Sequence, residues 1–347
     1  MRKHEENRSK SEKKYFPHSE SGTATVIGAV MLLGIIFSVL TFAWVECVPE
    51  WKNDAEYSHM DSVWENMAEL KSRIDMMSIV MASNYNSSDI NSSYSNSSTP
   101  ELVTSVPFHM GGGDIPFVGS MKSSGTLAVN KGKCVISIIL NRENADPYIK
   151  SIVCGAVTYT SKNNNYVDQV FSYENGALII NQAEQPVMML YPSIHFSNVS
   201  TSESNDYNVS INTISVCKKL YSPPEIISSN SEGSLRLTGI DYISIYDSEK
   251  EVLNSGKQGP GNVTTFTLII NSNYPEAWQS YLNKTMEDAK IGSDKYNTKK
   301  LGNNVRLTFY MTPETSNGNA KKIKPDILKK LYVSKTEIKA EPGIGLK

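Results

Sequence analysis

The chain has 347 residues, 34 of them Lys or Arg and 36 Asp or Glu, for a net charge of −2. That length fits a membrane anchor plus one large or two modest domains of about 150 residues each, and the near-neutral balance removes any global electrostatic argument for nucleic acid. Hydrophobic residues at 39% suffice for a core but not for a polytopic membrane protein, and four cysteines exclude a disulfide-dense scaffold.

Residues 1–22 form a basic leader carrying Arg2, Lys3, Arg8, Lys10, Lys13 and Lys14. The run Val26 to Val45 then continues for twenty residues without a charge. As a helix it spans about 30 Å, the hydrocarbon thickness of a bilayer, and it has no polar face. Residues 23–47 are therefore expected to cross a membrane once. Glu46, Glu50, Asp54, Glu56 and Asp61 follow the run, with only Lys52 against them. Basic residues are held on the cytoplasmic side, so the leader is expected inside and everything from Glu46 onward outside. The run is too long for an ordinary secretory signal, and no A-x-A-like site follows it. Ala24 with Gly28, and Gly34 with Ser38, are small residues four apart, a spacing that permits close helix approach in a bilayer.

Residues 48–82 read as an amphipathic stalk helix. Met60, Val63, Met67, Leu70, Ile74, Met77 and Met81 follow the 3-4 alternation of heptad a and d positions. The stripe can pack on a partner subunit or on the chain's own domain, and its spacing fits both. Pro49 is expected to kink this rod rather than end it.

Residues 83–99 are dominated by serine and asparagine, with Ile90 as the one aliphatic residue. Such a segment has too little to bury and is expected to be a flexible linker. From residue 100 to 347, short apolar or alternating runs are separated by turn residues, as at Asn130-Lys131-Gly132 and Asn175-Gly176. That pattern indicates an extracellular, mainly antiparallel β-sandwich, with Ile152 to Thr160 read as one of its strands. Near the C-terminus, Pro275 to Ala289 reads as a helix with Trp278, Tyr281, Leu282 and Met286 on one side, between strands at Val263 and Val305. This α+β portion, 260–347, either closes the sandwich or stands as a subdomain. The fold class is α+β: a long N-terminal membrane-spanning and stalk helix, then the sandwich.

Chemistry is sparsely encoded. The five histidines show no i, i+2 or i+4 recurrence, so no metal site is expected. Gly111-Gly112-Gly113 precedes Asp114-Ile115-Pro116, which opens no helix, so it reads as a tight turn rather than a phosphate cradle. Ser120 and Ser123 lie in no nucleophile elbow, and Glu203 and Asp206 read as solvated carboxylates. No catalytic residue and no cofactor are expected. Cys134 and Cys154 fall in predicted strands outside the membrane. A disulfide between them is one reading; buried thiols acting as small hydrophobes, together with Cys217, is the other. Asn86, Asn91, Asn96, Asn198, Asn208, Asn262 and Asn283 each begin an N-x-S/T triplet, the acceptor motif for N-glycosylation.

The segment Ser21-Gly22-Thr23-Ala24-Thr25-Val26-Ile27-Gly28-Ala29-Val30-Met31-Leu32-Leu33-Gly34-Ile35 resembles the N-terminus of archaeal type IV pilin-like proteins, which carry a class III signal peptide. Val48-Pro49-Glu50-Trp51-Lys52, the acidic helix and the β-rich exterior are similar to large pilin-like surface proteins of methanogenic archaea. The resemblance implies a processing peptidase that cuts between Gly22 and Thr23, and helices that bundle into a filament core. Two departures stand out: Ser19-Glu20-Ser21-Gly22 lacks the usual basic residue before the cut, and Ile27 takes the place of the glutamate that many bacterial relatives carry at mature position five. The expected function is a structural one, a pilin-like subunit or minor component of an archaeal surface filament. The alternative is an uncleaved single-pass surface glycoprotein displaying a β-domain for adhesion or envelope contact. Partners implied are the membrane, the signal-processing peptidase, and other subunits meeting through the N-terminal helices.

Overall fold

A computed structural model describes residues 20–90, 102–111, 114–115, 118–121, 123–143, 145–200, 204–216, 223–250, 263–311 and 325–344. The chain divides into two units, Met1–Lys52 and Asn53–Lys347.

In the first unit, helix α1 (Glu20–Phe42) is built from an unbroken run of aliphatic and small residues with no proline to interrupt it. All side chains from Thr23 to Phe42 are exposed. Ser38 Oγ and Thr41 Oγ1 donate to the carbonyls of Gly34 and Phe37, each at 2.8 Å, so these hydroxyls are satisfied within the helix. A π-helical turn, Ala43–Cys47, follows, in which the Val48 N–H donates to the carbonyl of Ala43. Its cause is Pro49: the ring crowds the carbonyl four residues back, and widening the turn by one residue relieves the clash without ending the helix. Helix α2 (Val48–Ile90) continues directly.

Helix α2 runs through Ile90, so the first part of the Ser/Asn-rich segment is helical rather than a flexible linker. Tyr85 supplies a reason, its ring tilted against that of Tyr242 with centroids 5.5 Å apart, a partner that composition does not reveal. Residues 91–99 of that segment lie outside the described residues.

The strands, in chain order, are β1 (Val103–His109), β2 (Asp114–Ile115), β3 (Gly119–Ser120), β4 (Ser124–Val129), β5 (Val135–Arg142), β6 (Ala145–Val153), β7 (Val157–Lys162), β8 (Gln169–Glu174) and β9 (Ala177–Gln182). They continue as β10 (Gln185–Leu190), β11 (Ile194–Ser200), β12 (Asn205–Ser215), β13 (Glu225–Ser229), β14 (Glu232–Asp247), β15 (Val263–Asn271), β16 (Tyr296–Leu301), β17 (Asn304–Tyr310) and β18 (Asp326–Gly343). Helix α3 (Pro275–Asp288) lies between β15 and β16. Three large sheets form, in the orders β1-β14-β18-β12-β11, β10-β9-β8-β7-β4-β13 and β16-β17-β15-β5-β6. Among the described residues every pairing is antiparallel except β12 with β18. The architecture is α+β, a long N-terminal helix followed by packed, mainly antiparallel sheets.

The first sheet backs two cores. Tyr207, Val209 and Ile211 of β12, with Leu328, Leu331 and Val333 of β18, join the third sheet and the Trp278, Tyr281, Leu282 and Met286 face of α3. Farther along the same strands, Ile214 and Ile338 enter a second core shared with the six-stranded sheet and α2. Residues 260–347 are therefore no separate subdomain: β15 pairs with β5, and β18 lies between β14 and β12. The expected strand Ile152 to Thr160 is two, because Gly155, at φ +69°, breaks the extended backbone between β6 and β7. Gly239 of β14 is needed for another reason: a Cβ there would lie 2.9 Å from Met81 Sδ, so glycine lets α2 approach the sheet.

Candidate functional site

In the first unit, Gly22 and Thr23 lie inside α1, which begins at Glu20. Ala24, Gly28, Gly34 and Ser38 are exposed, and a Cβ added at Gly28 or Gly34 would meet nothing within 4 Å. The helix Thr23–Tyr85 contains a segment long and apolar enough to cross a membrane. Two aromatic residues stand at the C-terminal end of that segment. Trp44 and Trp51, seven apart, are 55% and 47% exposed. An indole, apolar with one N–H donor, is suited to the boundary between lipid and water.

In the second unit the heptad stripe finds its partner within the chain. Met60, Val63, Met67, Leu70, Ile74 and Met77 are buried against Val106, Phe108, Leu127, Phe171, Leu235 and Leu237, and Met81 is half-buried over Gly239. The stripe is thus no intermolecular seam, because the sheets already occupy the face a second subunit would need. Spacing alone could not decide this, since a and d positions serve a β-sheet floor as well as a second helix.

A polar clamp fixes the same helix. Glu56 is fully buried, and its carboxylate accepts the backbone N–H groups of Asn164 at 2.9 Å and of Asn165 and Tyr166 at 2.6 Å. Three consecutive donors aimed at one carboxylate form an anion-binding nest. One turn on, His59 Nε2–H donates to the carbonyl of His109 at 2.9 Å, and Asn66 Oδ1 accepts the His109 N–H at 3.2 Å. Burial lowers the His59 pKa, which keeps the ring neutral. Replacing Glu56 with alanine strands three backbone donors in the interior. It is expected to destabilise the second unit by about 3 kcal/mol, read as a lower denaturant midpoint. Glutamine, which offers one acceptor oxygen, should recover part of that loss.

Where the three sheets meet, a second buried polar group stands at the end of β8. Glu174 accepts from Ser272 Oγ at 2.6 Å, Trp278 Nε1 at 3.2 Å and Ser172 Oγ at 3.2 Å, tying the six-stranded sheet to α3. Burial outweighs those donors and raises its pKa to about 7. Beside it, Asn175 Oδ1 accepts the Ile214 N–H at 2.9 Å and faces Cys154 Sγ at 3.5 Å. The acid is enclosed, and among the described residues no group of three His, Cys, Asp or Glu side chains is placed to hold a metal ion.

Cys134 and Cys154 are both fully buried and unbridged in the structure, and Cys217 lies outside the described residues. Of the sequon asparagines, Asn198 on β11 and Asn283 on α3 are half-buried. Asn208 lies on the internal strand β12 and is half-buried, with its amide oxygen enclosed. The side chains of Asn86, Asn91, Asn96 and Asn262 lie outside the described residues. Asp206, expected in solvent, is buried instead, paired with Lys329 at 2.8 Å and bonded by Ser204; the Lys329 bond leads in lowering its pKa. Gly111 makes a close approach: a Cβ there would run into the backbone carbonyl of Asn230.

No family model, curated protein or solved structure matches the chain.

Proposed function

We propose that this chain is a structural cell-surface protein of the type IV pilin-like kind, a subunit or minor component of a surface filament held in the membrane before assembly. The observation that carries the reading is the division of labour along one helical sequence. From Thr23 to Phe42 the side chains are uncharged, mostly apolar and uncovered, while from Met60 to Met77 the stripe is committed to the chain's own sheets. The apolar segment is thus the surface left for lipid or for like helices, and the leader charge orients it with the β-rich domain outside. The rival reading, a permanently anchored surface glycoprotein, is favoured by one feature: the Gly22–Thr23 bond lies within α1 rather than in an extended segment open to a peptidase.

Mass spectrometry of the N-terminus of native protein separates the two. A mature chain starting at Thr23, recovered from sheared surface filaments, is the expected result. A chain retaining the leader and found only in the membrane fraction would establish the anchored glycoprotein instead.

A further inference from the structure

The ladder between β5 and β6 ends on the pair Val135 with Val153, and Cys134 and Cys154 are the residues that flank this pair on the two strands. The Cys154 N–H donates to the carbonyl of Cys134 at 2.9 Å, which holds the two residues opposite one another just beyond the end of the ladder. Directly opposed residues in an antiparallel pair have Cα atoms about 4.5–5.5 Å apart, inside the span a disulfide bridges. Both side chains are fully buried, so neither thiol offers itself to a metal or to solvent. The surroundings also hold the pair still. Val216 donates its N–H to the Cys154 carbonyl at 2.8 Å, and Ser215 Oγ donates to the Val153 carbonyl at 2.7 Å, pinning β6 to β12.

We infer that Cys134 and Cys154 are a disulfide site, oxidised during folding to staple the β5–β6 hairpin at the point where the three sheets meet. The inference rests on the proposed placement of this domain outside the cytoplasm, where disulfides persist. The chemistry is two thiol–disulfide exchanges with a disulfide-bearing oxidoreductase. One cysteine thiolate attacks the oxidant's disulfide and forms a mixed disulfide, releasing one oxidant thiol. The second thiolate then displaces the other oxidant sulfur, forming the Cys134–Cys154 bond. Two protons leave the cysteines, and the oxidant takes up their two electrons as a dithiol. Burial of both sulfurs places the reaction before the core closes.

The test uses full-length protein from native membranes, denatured in N-ethylmaleimide without reductant and digested with trypsin. Cleavage after Lys133, Arg142, Lys150 and Lys162 isolates the two cysteines on peptides 134–142 and 151–162. The expected result is a linked pair with a mass two hydrogens below their sum, which separates on reduction. Thermal unfolding should likewise shift to lower temperature in reductant, and a C134A/C154A variant should lose that sensitivity. Two fully alkylated peptides, or a link from either cysteine to Cys47 or Cys217, would overturn the assignment. Protease added to intact cells decides what else falls. If the β-rich domain is digested while its thiols are free, the pairing alone is wrong; if it is protected and its thiols are free, the placement outside fails as well.

Discussion

Replacing Met67 and Leu70 together with aspartate is expected to abolish the cooperative unfolding of the β-rich unit, leaving no native baseline by circular dichroism. Both side chains are fully buried in the core that α2 shares with the sheets. Truncating one such residue to alanine costs about 2–5 kcal/mol, and a carboxylate adds the desolvation of an unpaired charge. Against a total stability of about 5–15 kcal/mol the pair is decisive. Leu70→Ala alone should leave a folded protein weaker by about 3 kcal/mol. The control is on the same helix: Met76 and Ile79 are 66% and 70% exposed, and aspartate at either should change stability by about 0.5 kcal/mol. If the stripe instead joined two subunits, the double variant would dissociate an oligomer and leave the unfolding midpoint unmoved.

The second large effect is a dependence on pH written by Glu174. Its pKa in the fold is about 7, raised above the ordinary 4.5 by burial. A carboxyl raised in this way favours the fold while it is protonated. The contribution is complete below the unfolded pKa and is lost as pH rises through about 7. Between pH 5 and pH 8 the loss amounts to about 3 kcal/mol. His59 works in the opposite sense, since its lowered pKa withdraws stability as pH falls through the ordinary histidine range. The clean measurement is therefore the difference between the natural protein and Glu174→Gln, which keeps an acceptor for Ser272 and Trp278 but cannot ionise. Denaturant titrations should show the two nearly equal at pH 5 and the variant more stable at pH 8. Parallel pH profiles would show that Glu174 does not titrate in this range.

Local periodicity made some of this molecule legible, and distance in sequence hid the rest. The uncharged run from Val26 to Val45 and the 3-4 alternation from Met60 to Met81 are properties of adjacent residues, so both helices could be drawn directly. So could α3, with Trp278 and Tyr281 on its buried side. What α2 packs against could not, because Val106, Phe171 and Leu237 belong to separate strands far along the chain. The part of β6 before Ile152 was missed because Ala145-Asp146-Pro147 and Lys150-Ser151 look like a loop; as an edge strand it tolerates a proline and exposes its polar residues. The polar junctions were harder still. Glu174 reads as an ordinary residue before an Asn-Gly turn, while Ser272 and Trp278, which define its environment, lie 98 and 104 residues away. Glu56 looks like one more acid on an acidic helix face until the backbone of Asn164 to Tyr166 arrives beneath it.

The central place of β18 has a consequence for how the protein is made. Ser78 of α2 meets Thr336 of β18 across 258 residues of sequence, and β18 also separates β14 from β12. At about 5–20 residues per second, synthesis puts roughly 13–50 seconds between the two. For all of that time the methionine-rich side of α2 has no finished floor, and from about its midpoint β12 waits for its parallel neighbour. A nascent chain must pass through this interval with a sticky helix exposed. Yield in a cell should therefore be set less by the final stability than by whatever shields that helix until the late strand arrives.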